Sequence, residues 1–196
     1  MKKLILGATG SIGSTLAKKL VNDGDQVHLV GRDESNLSSL AAELDSTFTT
    51  CDVLEENFSE KIISGLGSEP INGLAYCVGS IDLKPLKLSK KKDFLDCFNL
   101  NLIAATEIIR ATHEKLKESN GAIVLFSTVA AQKGFTNHSI ISSAKAAVEG
   151  LTVALAAEFA PNVRINCIAP SLSKSKMGEF LLKNEKIAEG IAKLHP

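Results

Sequence analysis

Gly7, Gly10 and Gly13 stand between the apolar run Leu4-Ile5-Leu6 and the segment Ser11 to Val21, whose Ile12, Leu16, Leu20 and Val21 share one helical face. Glycine at a strand-to-helix turn takes positive φ freely and lets a diphosphate come close to the main chain. The unpaired N–H groups and positive dipole end of the new helix then hold the negative charge. The G-x-x-G-x-x-G spacing alone is a weak signal; its weight comes from strand, turn and helix standing together at the start of a βαβ unit. The alternative is a tight turn with no ligand.

The rest of the chain alternates. Strands are predicted at 2–7, 26–30, 47–50, 72–78, 121–126 and 163–168, and helices at 11–22, 34–44, 55–66, 92–118, 142–159 and roughly 174–193. Segments such as Val27-His-Leu-Val30 and Ile123-Val-Leu-Phe126 have the near-continuous apolar content of strands buried on both faces. The rhythm predicts an α/β fold, with a three-layer doubly wound parallel sheet of about six strands and right-handed crossovers. No repeat or linker divides the 196 residues, so 1–196 is expected to be one domain.

Composition narrows the partners. Lys plus Arg equals Asp plus Glu at 22 each, so no net field attracts nucleic acid or an anionic membrane. No apolar run is expected to reach the length of a membrane span, and the N-terminus has no secretory pattern, so a cytoplasmic location is expected. Cys51, Cys77, Cys97 and Cys167 lack C-x-x-C spacing and lie in or beside apolar stretches, which predicts reduced core thiols and no metal site.

At this point the chain resembles the short-chain dehydrogenases/reductases over essentially its whole length. Gly7-Ala-Thr-Gly-Ser-Ile-Gly13 is similar to that family's T-G-x-x-x-G-x-G turn, with Leu6 where threonine is usual and Ser11 for the middle glycine. Cys51-Asp-Val53 resembles the segment that holds the adenine, and Tyr76-Cys-Val-Gly79 keeps only the glycine of N-N-A-G. Asn99-Leu-Asn-Leu102 places Asn101 at the family's helix asparagine, and Thr128 falls at the catalytic serine. Ile165-Asn-Cys-Ile-Ala-Pro-Ser171 resembles the V-N-x-x-x-P-G segment. The resemblance implies a Rossmann-type domain that binds NADP or NAD through Gly7, Thr9, Ser11, Ile12, Gly13, Arg32, Asp52, Val53, Gly79, Lys145 and Pro170, with Asn101, Thr128 and Lys145 at the reacting centre.

One motif departs from the family. Its proton donor belongs to Y-x-x-x-K, and Ile141-Ser-Ser-Ala-Lys145 has isoleucine at the tyrosine position, thirteen residues after Thr128. Tyr76, the only tyrosine, lies in another strand. In the family the lysine lowers the phenol's pKa and grips the nicotinamide ribose while the phenol protonates the carbonyl oxygen. Isoleucine has no proton to give, and general acid catalysis is worth about 10²–10⁴-fold. His138 shares a helical face with Ile141 and Lys145 if the helix starts early enough, which makes it a substitute acid; otherwise it is a loop histidine. Ser142 and Ser143 point to other faces. Thr128 either bonds a substrate oxygen or caps backbone at the strand end.

Arg32 follows Gly31 at the end of the second strand, where an arginine neutralises a 2′-phosphate, so NADP is favoured over NAD. The other reading leaves Arg32 solvated while Asp33 caps the next helix. Asn101 among Leu100, Leu102 and Ile103 is expected to be buried and bonded, the alternative being a solvent-facing side chain. Helix 144–159 carries Ala144, Ala146, Ala147, Gly150, Ala154, Ala156 and Ala157 beside larger apolar residues; the resemblance makes it the interface of a homodimer or homotetramer, the alternative being burial within a monomer. The family usually continues beyond His195-Pro196 into a seventh strand, so a six-stranded sheet with an open edge is expected. Two functions therefore stand: an NADP-linked oxidoreductase acting on a small carbonyl, alcohol or activated C=C compound with an altered proton donor, or a catalytically silent dinucleotide-binding protein used in sensing or assembly.

Overall fold

The structure, a computed structural model, describes residues 1–171. The helix expected at 174–193 lies outside the described residues. Six strands, β1 (Lys2–Leu6), β2 (Gln26–Gly31), β3 (Thr47–Thr50), β4 (Ile71–Tyr76), β5 (Ala122–Phe126) and β6 (Arg164–Ile168), form one sheet in the order β3-β2-β1-β4-β5-β6. Every pairing is parallel. This is the Rossmann-like α/β fold that the alternation predicted. The strand order reverses between β1 and β4, which opens a crevice beyond the strands' carboxyl ends.

Alternation along each strand divides the core between the two faces of the sheet. Leu4, Leu6 and Val30 pack with Phe58, Ile62 and Leu66 of α3 (Phe58–Leu66) and with Ile108 and Ile109 of α5 (Ala104–Glu118). Ile5, Val27 and Leu29 pack on the opposite side with Ala17 of α1 (Ser11–Asn22) and Leu37, Leu40 and Ala41 of α2 (Glu34–Glu43).

Four helical elements differ from the sequence expectation. The helix predicted over 92–118 is α4 (Lys91–Phe98) and α5 joined by a π-helical turn, Asn99–Ile103. The helix predicted from 55 begins at Phe58, because Asp52 organises the residues before it: its carboxylate accepts from Leu54 N at 3.0 Å and its carbonyl from Glu55 N at 3.0 Å. A short helix, α6 (Ala130–Lys133), follows β5, and α7 runs over Ser139–Phe159, three residues longer at its start than predicted. With 21 residues, α7 is long and apolar enough by composition to cross a membrane, contrary to the expectation that no such run exists. Here Ile140, Ile141, Ala144 and Val148 are buried within the fold.

Candidate active site

The glycine turn is held at both ends of its arc. Ala8 N donates to Val30 O of β2 at 3.0 Å, and a Cβ at Gly7 (φ +73°) would lie 2.8 Å from Cys77 O, just past β4. A Cβ at Gly13 would stand 2.3 Å from Gly7 O, so the loop closes on itself only with glycine there. Gly10 caps α1 with extended backbone and no side-chain hydrogen bond. The first helical turn thus keeps its dipole end clear of any capping side chain, as an anion site requires. Thr9 lies against Gly31, while Ser11 and Ile12 are exposed along the turn.

At the far end of β2, Arg32 lies 3.4 Å from the Asp52 carboxylate after β3, with a side chain 74% exposed. Asp33 caps α2, accepting from Asn36 N at 2.9 Å, so the cap and the exposed arginine coexist. Val53 turns its side chain into the core.

The second cluster forms where β4 and β5 end. Lys145 is 8% exposed, and its Nζ donates to Phe126 O at 2.8 Å. Asn101, 1% exposed, donates from Nδ2 to Cys97 O at 2.9 Å, while its Oδ1 has no hydrogen-bond partner. A Cβ on Gly79 would lie 3.1 Å from Asn101 Oδ1 and 3.3 Å from Lys145 Nζ, so the absent side chain is the point on which both polar groups converge. Burial holds the Lys145 ammonium down at about 8, against a smaller opposing effect of the Cys97 and Cys167 thiols. No carboxylate pairs with it among the described residues.

Around this cluster the remaining candidates separate. Ile141 is 4% exposed and packs with Cys97, Ile140 and Ala144, against which Leu83, Phe94 and Phe98 close. The helical face proposed for His138 does not form: α7 starts at Ser139, and His138 is its non-helical cap, with Nδ1 2.8 Å from Thr136 O. Thr128 accepts from Ala130 N at 3.3 Å at the start of α6. Pro170 O accepts from Val129 N at 3.1 Å, bringing the end of β6 beside Thr128. Tyr76 is buried, and its hydroxyl donates to Leu100 O at 2.6 Å, away from any cleft role.

Sequence reasoning overlooked Ser127, Glu149 and Ser80, and read Cys97 only as a core thiol. Buried Ser127 donates to Glu149 Oε1 at 2.6 Å, and Glu149 Oε2 accepts from Gln132 Nε2 at 3.2 Å. Asn101 Nδ2 lies 3.4 Å from Ser80 Oγ and 3.5 Å from Cys97 Sγ. Glu149 was visible as one of two acids, with Glu158, inside an alanine-rich helix; the others carried no pattern.

A family model described as enoyl-(acyl carrier protein) reductase matches residues 7–196. L-xylulose reductase of Bos taurus is 30% identical over 182 residues, which span 91% of this chain and 74% of that protein. The chain belongs to the short-chain dehydrogenase/reductase family. A tropinone reductase homolog of Arabidopsis thaliana is 32% identical over 197 residues, 95% of this chain and 75% of its own length. Among solved structures, a short-chain type dehydrogenase/reductase from Mycobacterium ulcerans superposes with a TM-score of 0.89 at 20% identity, covering 96% of this chain and 73% of that one. A Shigella flexneri short-chain dehydrogenase complexed with NADP superposes at 0.86 with 23% identity, over 96% and 84% of the two chains. These two likenesses are of fold, and the family makes the chain one of an oxidoreductase lineage.

Proposed function

We propose that the chain is an NADP-linked reductase of a small carbonyl compound in which the usual phenol is replaced by isoleucine at position 141. The observation that carries this reading is the convergence of Lys145 Nζ and Asn101 Oδ1 on Gly79, inside the crevice where the strand order reverses. A buried amide oxygen with no partner and a buried ammonium with one carbonyl acceptor are both costly unless a ligand completes them. The residues fit a dinucleotide: Gly7, Gly10 and Gly13 let the loop fold tightly ahead of the uncapped start of α1, which suits a diphosphate, and exposed Arg32 suits a 2′-phosphate better than a free hydroxyl. Asp52 lies beside it for the adenosine end, and Lys145 with Gly79 and Pro170 suits the nicotinamide ribose. When bound, the cofactor supplies the hydride. The relatives' names, L-xylulose reductase and tropinone reductase homolog, support a carbonyl substrate.

Calorimetric titration with NADPH and NADH, followed by a panel of carbonyl compounds watched at the nicotinamide absorbance, tests the proposal. Saturable NADPH binding with substrate-dependent oxidation is expected; absence of binding overturns it.

A second reading, a silent dinucleotide-binding protein, is favoured by Ile141 itself, which lies among apolar side chains and offers no hydrogen bond. Binding without turnover of any carbonyl separates it from the first. In either case we propose a homodimer through α7, whose outward stripe of Ser143, Ala146, Gly150, Val153, Ala154 and Ala157 is exposed, with Val153 at 73%. The four free thiols support a reducing, cytoplasmic setting.

A further inference from the structure

Among the described residues, the donors that the sequence singled out beside Lys145 are absent, committed or too weakly acidic. Ile141 carries no proton, Tyr76 Oη is spent on Leu100 O, and His138 lies outside the helix with Nδ1 on Thr136 O. Thr128 has a hydroxyl of ordinary alcohol acidity, too weak to release a proton at neutral pH. Lys145 remains. It stands one turn beyond Ile141 on α7, with its Nζ at the carboxyl end of β5 beside Gly79.

Among the described residues, the groups facing it are few and neutral. Phe126 O of β5 takes one N–H, Asn101 Oδ1 of the π-helical turn lies across the Gly79 gap, and the thiols of Cys97 on α4 and Cys167 on β6 lie near enough to act weakly on it when ionised. Burial raises both thiols, which keeps them protonated. Glu149, one turn further on α7, is engaged by Ser127 and Gln132.

We propose that the Lys145 ammonium is itself the general acid, giving an Nζ proton to the substrate's carbonyl oxygen where the family uses a phenol. The inference rests on the reductase reading above. In the step an Nζ–H bond breaks and an O–H bond forms on the carbonyl oxygen, while the carbonyl carbon receives the hydride that the cofactor supplies. Lys145 is left as a neutral amine and regains its proton from solvent. An ammonium poised near pH 8 is a competent acid at neutral pH, whereas one near its ordinary value would release the proton too reluctantly.

The test begins on the wild-type protein without turnover. In a lysine-labelled sample, with Lys145→Met supplying the assignment, the Lys145 side-chain resonance should titrate with a midpoint near 8. A midpoint above about 10, the ordinary lysine range, overturns the proposal. Kinetics follow with NADPH and 2,3-butanedione, L-xylulose and tropinone as probes. The reduction rate should be flat below that midpoint and fall tenfold per pH unit above it. Lys145→Arg keeps the positive charge but holds its proton too tightly, so under saturating NADPH the hydride-transfer rate should drop by about 10²-fold or more, with the alkaline limb gone. Adding Ile141→Tyr to that variant should restore part of the rate. Wild-type rates or an unchanged pH profile in Lys145→Arg overturn the proposal, as does wild-type protein that binds NADPH yet reduces none of the probes. Wild-type protein that fails to bind NADPH at all sinks the reductase reading instead.

Discussion

Tyr76 Oη donates to the carbonyl of Leu100 at 2.6 Å, tying β4 to the π-helical turn that carries Asn101. A π turn displaces carbonyls from the regular helical ladder, and the buried phenol supplies the donor that Leu100 needs. Burial, with a smaller push from the Asp52 charge, raises the phenol's pKa and keeps it a donor. Tyr76→Phe should therefore cost about 1–3 kcal/mol by leaving a buried carbonyl unpaired, read as a lower urea midpoint at an unchanged m-value. A variant as stable as wild type means that the turn holds itself.

The glycine turn makes a sharper demand. Gly13→Ala places a methyl 2.3 Å from Gly7 O, with Ala8 Cα and Gly7 C both at 2.9 Å, so backbone must move. Calorimetry should show NADPH affinity reduced by more than about tenfold, an amount worth about 1.4 kcal/mol. Undiminished affinity would dissociate this loop from the diphosphate.

His28 gives the fold an acid limit. It is fully buried on β2, with Nδ1 2.8 Å from Thr47 Oγ1 and Nε2 2.8 Å from Thr49 Oγ1. Burial, with help from the Lys2 ammonium, lowers its pKa to about 4. The unfolded chain binds the proton first as pH falls below about 6.5, so stability declines from there towards pH 4, by at most about 3 kcal/mol. Denaturant melts across that window should show the slope, and His28→Asn, which cannot titrate, should lose it even if its plateau is lower.

Assembly is tested at Val153, 73% exposed on the outer stripe of α7. Val153→Glu puts a charge in the middle of that stripe and should convert a dimer to a monomer in sedimentation experiments, with NADPH binding retained. Wild-type protein sedimenting as a monomer overturns the dimer.

Most of the sheet was legible from residue type. The strands other than β3 were predicted within two residues, because buried parallel strands are apolar on both faces and glycines or polar pairs punctuate them; β3, a threonine-rich edge strand, was predicted at its observed bounds. The π turn was not, since Phe98, Leu100 and Leu102 continue a helical period and the partner that stabilises the break, Tyr76, is remote in sequence. Of the site, the glycine spacing and the positions of Asn101 and Lys145 were visible. The start of α7 was placed three residues late because Ser139-Ile-Ile has no strong cap signal, and even the earlier start leaves His138 outside the helix as its cap. Burial of Ser127 against Glu149 depends on packing between β5 and α7, which no local pattern encodes.

One rod, α7, bears Lys145 on its inward side and the bare alanine and glycine stripe on its outward side. A helix transmits axial shifts and rotations along its whole length, so whatever presses on the outer stripe also re-aims the amine. Substitutions chosen to alter assembly should for that reason be checked for collateral changes in chemistry, because the two surfaces share a single mechanical part.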